Sequence, residues 1–311
     1  IATIDVTTEI IGGNYHMEFL AELDSSSYNF RFETKGSGQY DLWSGAWASF
    51  NDMVTTLPTV AQMPDIVKYK LPDANQTIVS AWNCSEKVIS VGNFRNRLGH
   101  VDKNLNNYVN AATTPGDISP NSSLGPNRHN ITKPDVSASG DVSLSAGPNW
   151  LLINPAYNSL IDSGGWHVRN GGTSMASPII AGIAALYLDR CRYATYDQFR
   201  TDLHNTAYSD PFTGAVPNNT YGYGKGDAFA LLQELTLATQ PTISYNSGTT
   251  ILSSMENAYQ WYLDGSVIPN ETNQEHTPQP PYGSYSVIGI NSDGCFAESN
   301  PLVITASLED N

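Results

Sequence analysis

The sequence has little cysteine, little charge and no long apolar run, and each shortage excludes something. Its three cysteines, Cys84, Cys191 and Cys295, lie far apart and match no metal-ligand spacing. At most one disulfide can form, leaving one thiol over, and no pairing follows from the spacing. Buried free cysteine is the default expectation. Positive charge is scarce: 15 Lys and Arg stand against 30 Asp and Glu, for a net charge of -15. Such a surface repels a phosphate backbone and argues against nucleic acid as a partner. Charged residues total only 14%, and frequent Ser, Thr, Asn and Gly give a surface more typical of extracellular than of cytosolic proteins. No apolar run approaches the roughly 20 residues that span a bilayer. The start, Ile1-Ala2-Thr3-Ile4-Asp5, lacks the basic flank and apolar core of a signal peptide. Ile1 therefore reads as a cut point within strand-like sequence, and the chain as mature or truncated.

A chain of 311 residues has room for two or three modest domains. Residues 1–72 alternate apolar and polar positions (Tyr15, Met17, Phe19; Tyr28, Phe30, Phe32; Tyr40, Leu42, Trp43) between Ser, Gly and Asp turns, as a β-sandwich or jelly-roll-like insert requires. Over 73–238 the texture becomes α/β. Val88-Ile89-Ser90-Val91-Gly92 reads as a strand buried on both faces. Gly171 to Arg190 leads into a helix apolar around much of its circumference, as suits the middle of a domain. An amphipathic helix follows at about Thr195–Asn205, with Phe199 and Leu203 on one face, and a short helix at Ala228–Leu237 closes the unit. After a linker at Thr239–Thr242, strand patterns return over 241–308, with Asp264-Gly265 as a hairpin turn and Trp261 as the core aromatic.

One short run carries chemistry. In Gly172-Thr173-Ser174-Met175-Ala176-Ser177-Pro178, small residues admit a substrate backbone, and the following helix presents free N–H groups and its positive end. Both favour a negatively charged transition state, and the backbone N–H of Ser174 can itself serve as an oxyanion donor. The bland alternative is that Ser174 is an N-cap.

The run, followed by Ala181-Gly182 and Ala184-Ala185-Leu186, resembles the serine signature of the subtilisin-like proteases. Three further stretches fall in that family's order: Val88 to Asn93, Ser122-Ser123-Leu124-Gly125-Pro126 with Lys133-Pro134-Asp135-Val136-Ser137-Ala138, and Gly222-Tyr223-Gly224-Lys225-Gly226-Asp227-Ala228. Ser139, Ile179 and Gly171 depart from it, standing where Pro, His and Asn or Ser are usual. The resemblance implies part of a mostly parallel sheet with helices on both faces. It makes Ser174 the nucleophile, with Gly172, Thr173, Met175 and Pro178 in support, acting on protein or peptide substrates with no cofactor required. The Asp, His and oxyanion Asn of such enzymes precede the serine, and no stretch of the chain matches their motifs. His16, His100, His129, His167, His204 and His276 all default to structural or surface roles. Asp, His and Asn are therefore expected in an N-terminal part of the same protease, upstream of Ile1, and the 311-residue chain alone is expected to be inactive. Within 241–308, Tyr259-Gln260-Trp261-Tyr262-Leu263-Asp264-Gly265 through Gly283-Ser284-Tyr285 to Asp293-Gly294-Cys295 resembles the immunoglobulin-like repeats of secreted Bacteroidetes-type proteases, which implies a secreted or cell-surface bacterial protein. Calcium is a candidate structural ion at the oxygen-rich stretches Asp102–Asn107 and Asp210–Asn219, although solvated loops are the simpler reading. The competing assignment is a non-catalytic secreted binding or scaffold protein on a degenerate subtilase.

Overall fold

The computed structural model describes residues 2–11, 13–25, 27, 31–38, 40–44, 53–73, 75–80, 83, 85–109, 114–246, 250–280 and 282–305. They fall into two compact units, Ile1–Ala176 with Ser209–Gly224, and Ser177–Tyr208 with Lys225–Asn311.

The first unit opens with an antiparallel hairpin of β1 (Ala2–Ile11) and β2 (Asn14–Leu23). Ile4 faces Ala21, Val6 faces Phe19 and Ile10 faces Tyr15, so the period of two gathers the apolar residues on one side. That side is open, with Ile10 66% and Tyr15 88% exposed. Phe32 reaches it at Phe19, with ring centroids 5.0 Å apart. Phe32, Tyr40, Leu42 and Trp43 lie outside any strand, while Tyr28 and Phe30 are outside the described residues. The described part of 1–72 is thus one hairpin and a 3-10 turn, Pro64–Lys68. Alternation there has put apolar residues on one face, and among the described residues no second sheet covers them.

β3 (Val91–Arg95), β4 (Gly99–Val101), β5 (Asn107–Val109), β6 (Val136–Asp141), β7 (Ser143–Ala146) and β8 (His167–Asn170) follow. β3 and β6 run parallel, whereas β4 pairs β5 and β7 pairs β8 antiparallel. Among the described residues, the expected parallel sheet is this one pair. β3 begins three residues later than the apolar run at Val88 suggests. The Ser90 N–H is committed instead to the Asp135 carboxylate (2.8 Å). Lys133 Nζ donates to the same carboxylate at 2.6 Å and to the Val88 carbonyl at 2.8 Å, with both charged side chains fully buried. Removing one partner of such a pair costs about 3–5 kcal/mol, so Lys133-Pro134-Asp135 fastens the start of β6 to the approach to β3. The β7–β8 connection carries α1 (Asn149–Leu152) and a 3-10 turn, Pro155–Leu160.

α2 (Thr173–Arg190) begins in the first unit and continues in the second. It is not buried all round: Ala176, Ile180, Ile183 and Tyr187 form one buried stripe at helical spacing, and Ile179, Leu186 and Leu188 are exposed. α3 (Tyr196–Thr206) starts where its sequence says, because Thr195 and Gln198 form a capping box. Its Phe199 and Leu203 are buried, and Phe199 meets the Tyr187 ring edge-on at 5.1 Å. Burial pushes the Tyr187 phenol well above its ordinary pKa, helped by its hydrogen bond to Asp202. α4 (Ala228–Glu234) is capped by the Asp227 carboxylate, which accepts from the Phe229 and Ala230 N–H groups.

The chain then forms β9 (Ile243–Tyr245), β10 (Ile251–Ser253), β11 (Ala258–Leu263), β12 (Ser266–Val267), β13 (Glu275–His276), β14 (Ser284–Ile290), β15 (Phe296–Glu298) and β16 (Leu302–Val303). One antiparallel sheet has the order β13-β10-β9; the other runs β12-β11-β14-β15, with β16 also on β14. Ile251 from the first and Tyr259, Trp261, Tyr285 and Val287 from the second share a core. Asp264 (φ 51) and Gly265 (φ 76) make the tight turn joining β11 to β12, as an Asp-Gly pair dictates. The expectation of free thiols is corrected here: Cys191 and Cys295, 104 residues apart, are joined in a disulfide. The Tyr193 N–H donates to the Gly294 carbonyl at 3.1 Å, holding the end of α2 beside the β14–β15 turn. Cys84 lies outside the described residues.

Candidate active site

Four separated motifs converge on β3 and β6. The Asn93 N–H donates to Ser122 Oγ at 2.9 Å, bringing in the Ser-Ser-x-Gly-Pro element. The Tyr223 N–H donates to the Asp135 carbonyl and the Ser137 N–H to the Gly224 carbonyl, each at 2.8 Å. Gly222 has φ +65, and a Cβ there would lie 2.3 Å from the Asp135 carbonyl oxygen, so only glycine permits this approach. At the other end of β6 the Gly172 N–H donates to the Gly140 carbonyl at 3.1 Å, tethering the loop that carries the serine.

Gly172, at φ +105, reverses the chain into α2, and the Met175 N–H closes the first turn on its carbonyl at 2.9 Å. Ser174 is the second residue of α2 and is exposed. It is therefore not the N-cap, which must precede the first helical residue, Thr173. Its N–H belongs to the first four of the helix, which have no intrahelical acceptor, and it stands at the positive end of the dipole. Thr173 and Met175 are partly buried and Pro178 is exposed within the helix. Lacking an N–H, Pro178 cannot bond the Ser174 carbonyl four residues earlier. The arrangement thus offers an unburied hydroxyl and a free N–H on one residue held by a tethered loop.

Four of the histidines hydrogen-bond groups other than Ser174. His16 meets Glu9 at 3.3 Å, His100 the Ser159 carbonyl at 3.2 Å, and His276 Glu271 at 3.1 Å. His129 lies in a loop and His204 on α3. His167 Nδ1 stands 3.2 Å from Asp162, whose other oxygen accepts from the His167 and Trp166 N–H groups at 2.9 and 3.1 Å. These hydrogen bonds, the His167 backbone bond foremost, hold the Asp162 carboxyl below its ordinary pKa.

The candidate calcium loops spend their carboxylates on themselves. Asp102 accepts from the Asn104 and Asn106 N–H groups, and Asp210 from those of Phe212 and Thr213. No cluster of three or more His, Cys, Asp or Glu side chains with metal-binding geometry occurs among the described residues. No helix among those residues is long and apolar enough to cross a membrane.

Sequence reasoning passed over three polar residues beside this loop: Asn93, Asp141 and Arg169. Asn93 is fully buried, with neither polar atom of its amide hydrogen-bonded. Arg169 lies on β8 opposite Leu144, and the only sequence signal for it was its place just upstream of the serine run.

Residues 59–224 match the subtilase family of peptidases, S8. Serine protease AprX of Bacillus subtilis (strain 168) is 36% identical over 159 residues, covering 50% of this chain and 32% of that protein. An uncharacterized protein, aq_aa18, of Aquifex aeolicus (strain VF5) is 29% identical over 126 residues, covering 40% of this chain and 52% of its own length. Among solved structures, the CspB protease of Clostridium perfringens aligns with a TM-score of 0.34 and 23% identity, over 51% of this chain and 29% of that one. The matches thus span about a third and about a half of the lengths of these two relatives. With more than half of its residues matched to the family, this chain belongs to the subtilases.

Proposed function

We propose that this chain carries the nucleophile of a secreted serine endopeptidase. Ser174 Oγ attacks the substrate peptide carbonyl, and a His outside these 311 residues takes its proton and later returns it to the leaving amine. An Asp orients that His, and an Asn side chain joins the Ser174 N–H in binding the oxyanion. The N-terminal part of the same protease supplies all three groups. The observation that carries this reading is the placement of Ser174, exposed at the second position of α2 behind a positive-φ glycine. The Cys191–Cys295 disulfide supports an oxidising, extracellular setting. In that setting, residues 241–308, with their two antiparallel sheets, act as an immunoglobulin-like module beside the catalytic domain.

A second reading, a non-catalytic scaffold, draws on one observation: the hydrogen bonds of His16, His100, His167 and His276 all lead away from Ser174. Peptide hydrolysis by the whole protein separates the two. Ser174→Ala is expected to lower kcat about a millionfold, a general figure whose reference case is subtilisin, itself of this family. The 311-residue chain alone is expected to be inert. Activity that survives the substitution overturns the nucleophile assignment, and no activity in the whole protein favours the scaffold.

A further inference from the structure

We propose that a cavity at the foot of the Ser174 loop is a subsite for a side-chain carboxamide, that of a Gln or Asn in a peptide substrate. The peptide nature of the occupant rests on the protease reading above; the carboxamide rests on the cavity's own chemistry.

The cavity, open to solvent on one side, has a volume of about 270 Å³ and is lined by Asp141, Val142, Leu160, Arg169, Asn170 and Gly171. At about 30 Å³ per water, this is room for a short amide side chain. Val142, which is buried, and Leu160 supply apolar wall. The polar groups are set apart rather than paired. The Arg169 guanidinium lies over the Tyr108 ring, 4.2 Å from its centroid, and that ring packs against His100 at 5.3 Å. The stacking fixes the guanidinium, and its Nε is buried without a hydrogen-bond partner. Arg169 also lines the cavity, where the terminal N–H groups of its guanidinium are donors that an acceptor on a ligand can use.

Asp141 supplies the opposite polarity. One of its oxygens takes the Ser119 hydroxyl at 2.7 Å. The other, Oδ1, lies 2.4 Å from where a Cβ on Gly171 would stand. Any side chain at position 171 would therefore crowd this acceptor, and glycine, present where Asn or Ser is usual, leaves it open. A carboxamide carries both an acceptor for Arg169 and donors for Asp141. A carboxylate satisfies the first and is repelled by the second, an ammonium does the reverse, and an apolar group leaves both unpaired. Sites that hydrogen-bond their ligand on every polar edge reject analogues strongly for this reason. The cavity also shares its loop with the nucleophile: Gly171 lies three residues before Ser174, and Gly172 is tethered to Gly140, the neighbour of Asp141.

The test is a titration of the 311-residue chain by amide-detected NMR with N-acetyl-glutamine N-methylamide and its glutamate and alanine analogues. The glutamine compound is expected to shift the Asn170 and Gly171 amides and the Arg169 Nε–H, and to bind at least about tenfold more tightly than either analogue, or about 1.4 kcal/mol. Arg169→Met, which removes the donor, and Gly171→Ala, which covers Asp141, should each abolish that preference while the rest of the spectrum holds. Equal or tighter binding of the glutamate compound overturns the proposal. So do shifts located elsewhere, or shifts that survive both substitutions. Reaction of Ser174 with a fluorophosphonate in the whole protein tests the protease reading separately, because the titration requires no catalysis.

Discussion

The hairpin β1–β2 and the module from β9 to β16 are written in the same sequence style, apolar and polar residues in alternation, yet their apolar faces meet opposite fates. In the module Trp261 is fully buried and Tyr285 nearly so, whereas Tyr15 of the hairpin is 88% exposed. Alternation specifies which residues share a face, because the side-chain period of a strand is two. It says nothing about what covers that face. In the module, β10 lies across from β11 and β14 and contributes Ile251 to their core; on the hairpin, Phe32 packs against Phe19 while Ile10 and Tyr15 stay exposed.

The comparison can be broken by substitution. Trp261→Ala is expected to cost about 3–5 kcal/mol, read by denaturant unfolding, because it empties the centre of a closed core and strands the Asn273 carbonyl that accepts its indole N–H at 2.8 Å. The double change Cys191→Ser with Cys295→Ser should cost about 2–5 kcal/mol, chiefly by freeing the unfolded chain, and reductant should reproduce it. Tyr15→Ala should fall within about 0.5 kcal/mol, as exposed positions do. A Tyr15 effect approaching that of Trp261 would mean that the hairpin face is covered after all.

The same contrast explains what could be read in advance. Local rules sufficed where the determinant lies within a few residues: the start of α3 after Thr195, the Asp264-Gly265 turn, and the helix that opens at the serine run. They failed where the determinant is distant. β3 starts at Val91 because the Ser90 N–H is taken by a carboxylate 45 residues away. The disulfide joins residues 104 apart, and no spacing rule selects that pair. Arg169 and Asp141 carry no motif, and only the packing of β8 beside β7 and the end of β6 makes them walls of one cavity.

The central claim, that Ser174 is a nucleophile, is tested most directly by peptide mass mapping after fluorophosphonate treatment of the whole protein. The account predicts a single adduct on the peptide containing Ser174, absent in Ser174→Ala and absent when the 311-residue chain is treated alone. An adduct on a different serine, or an untouched Ser174 in the whole protein, would contradict it.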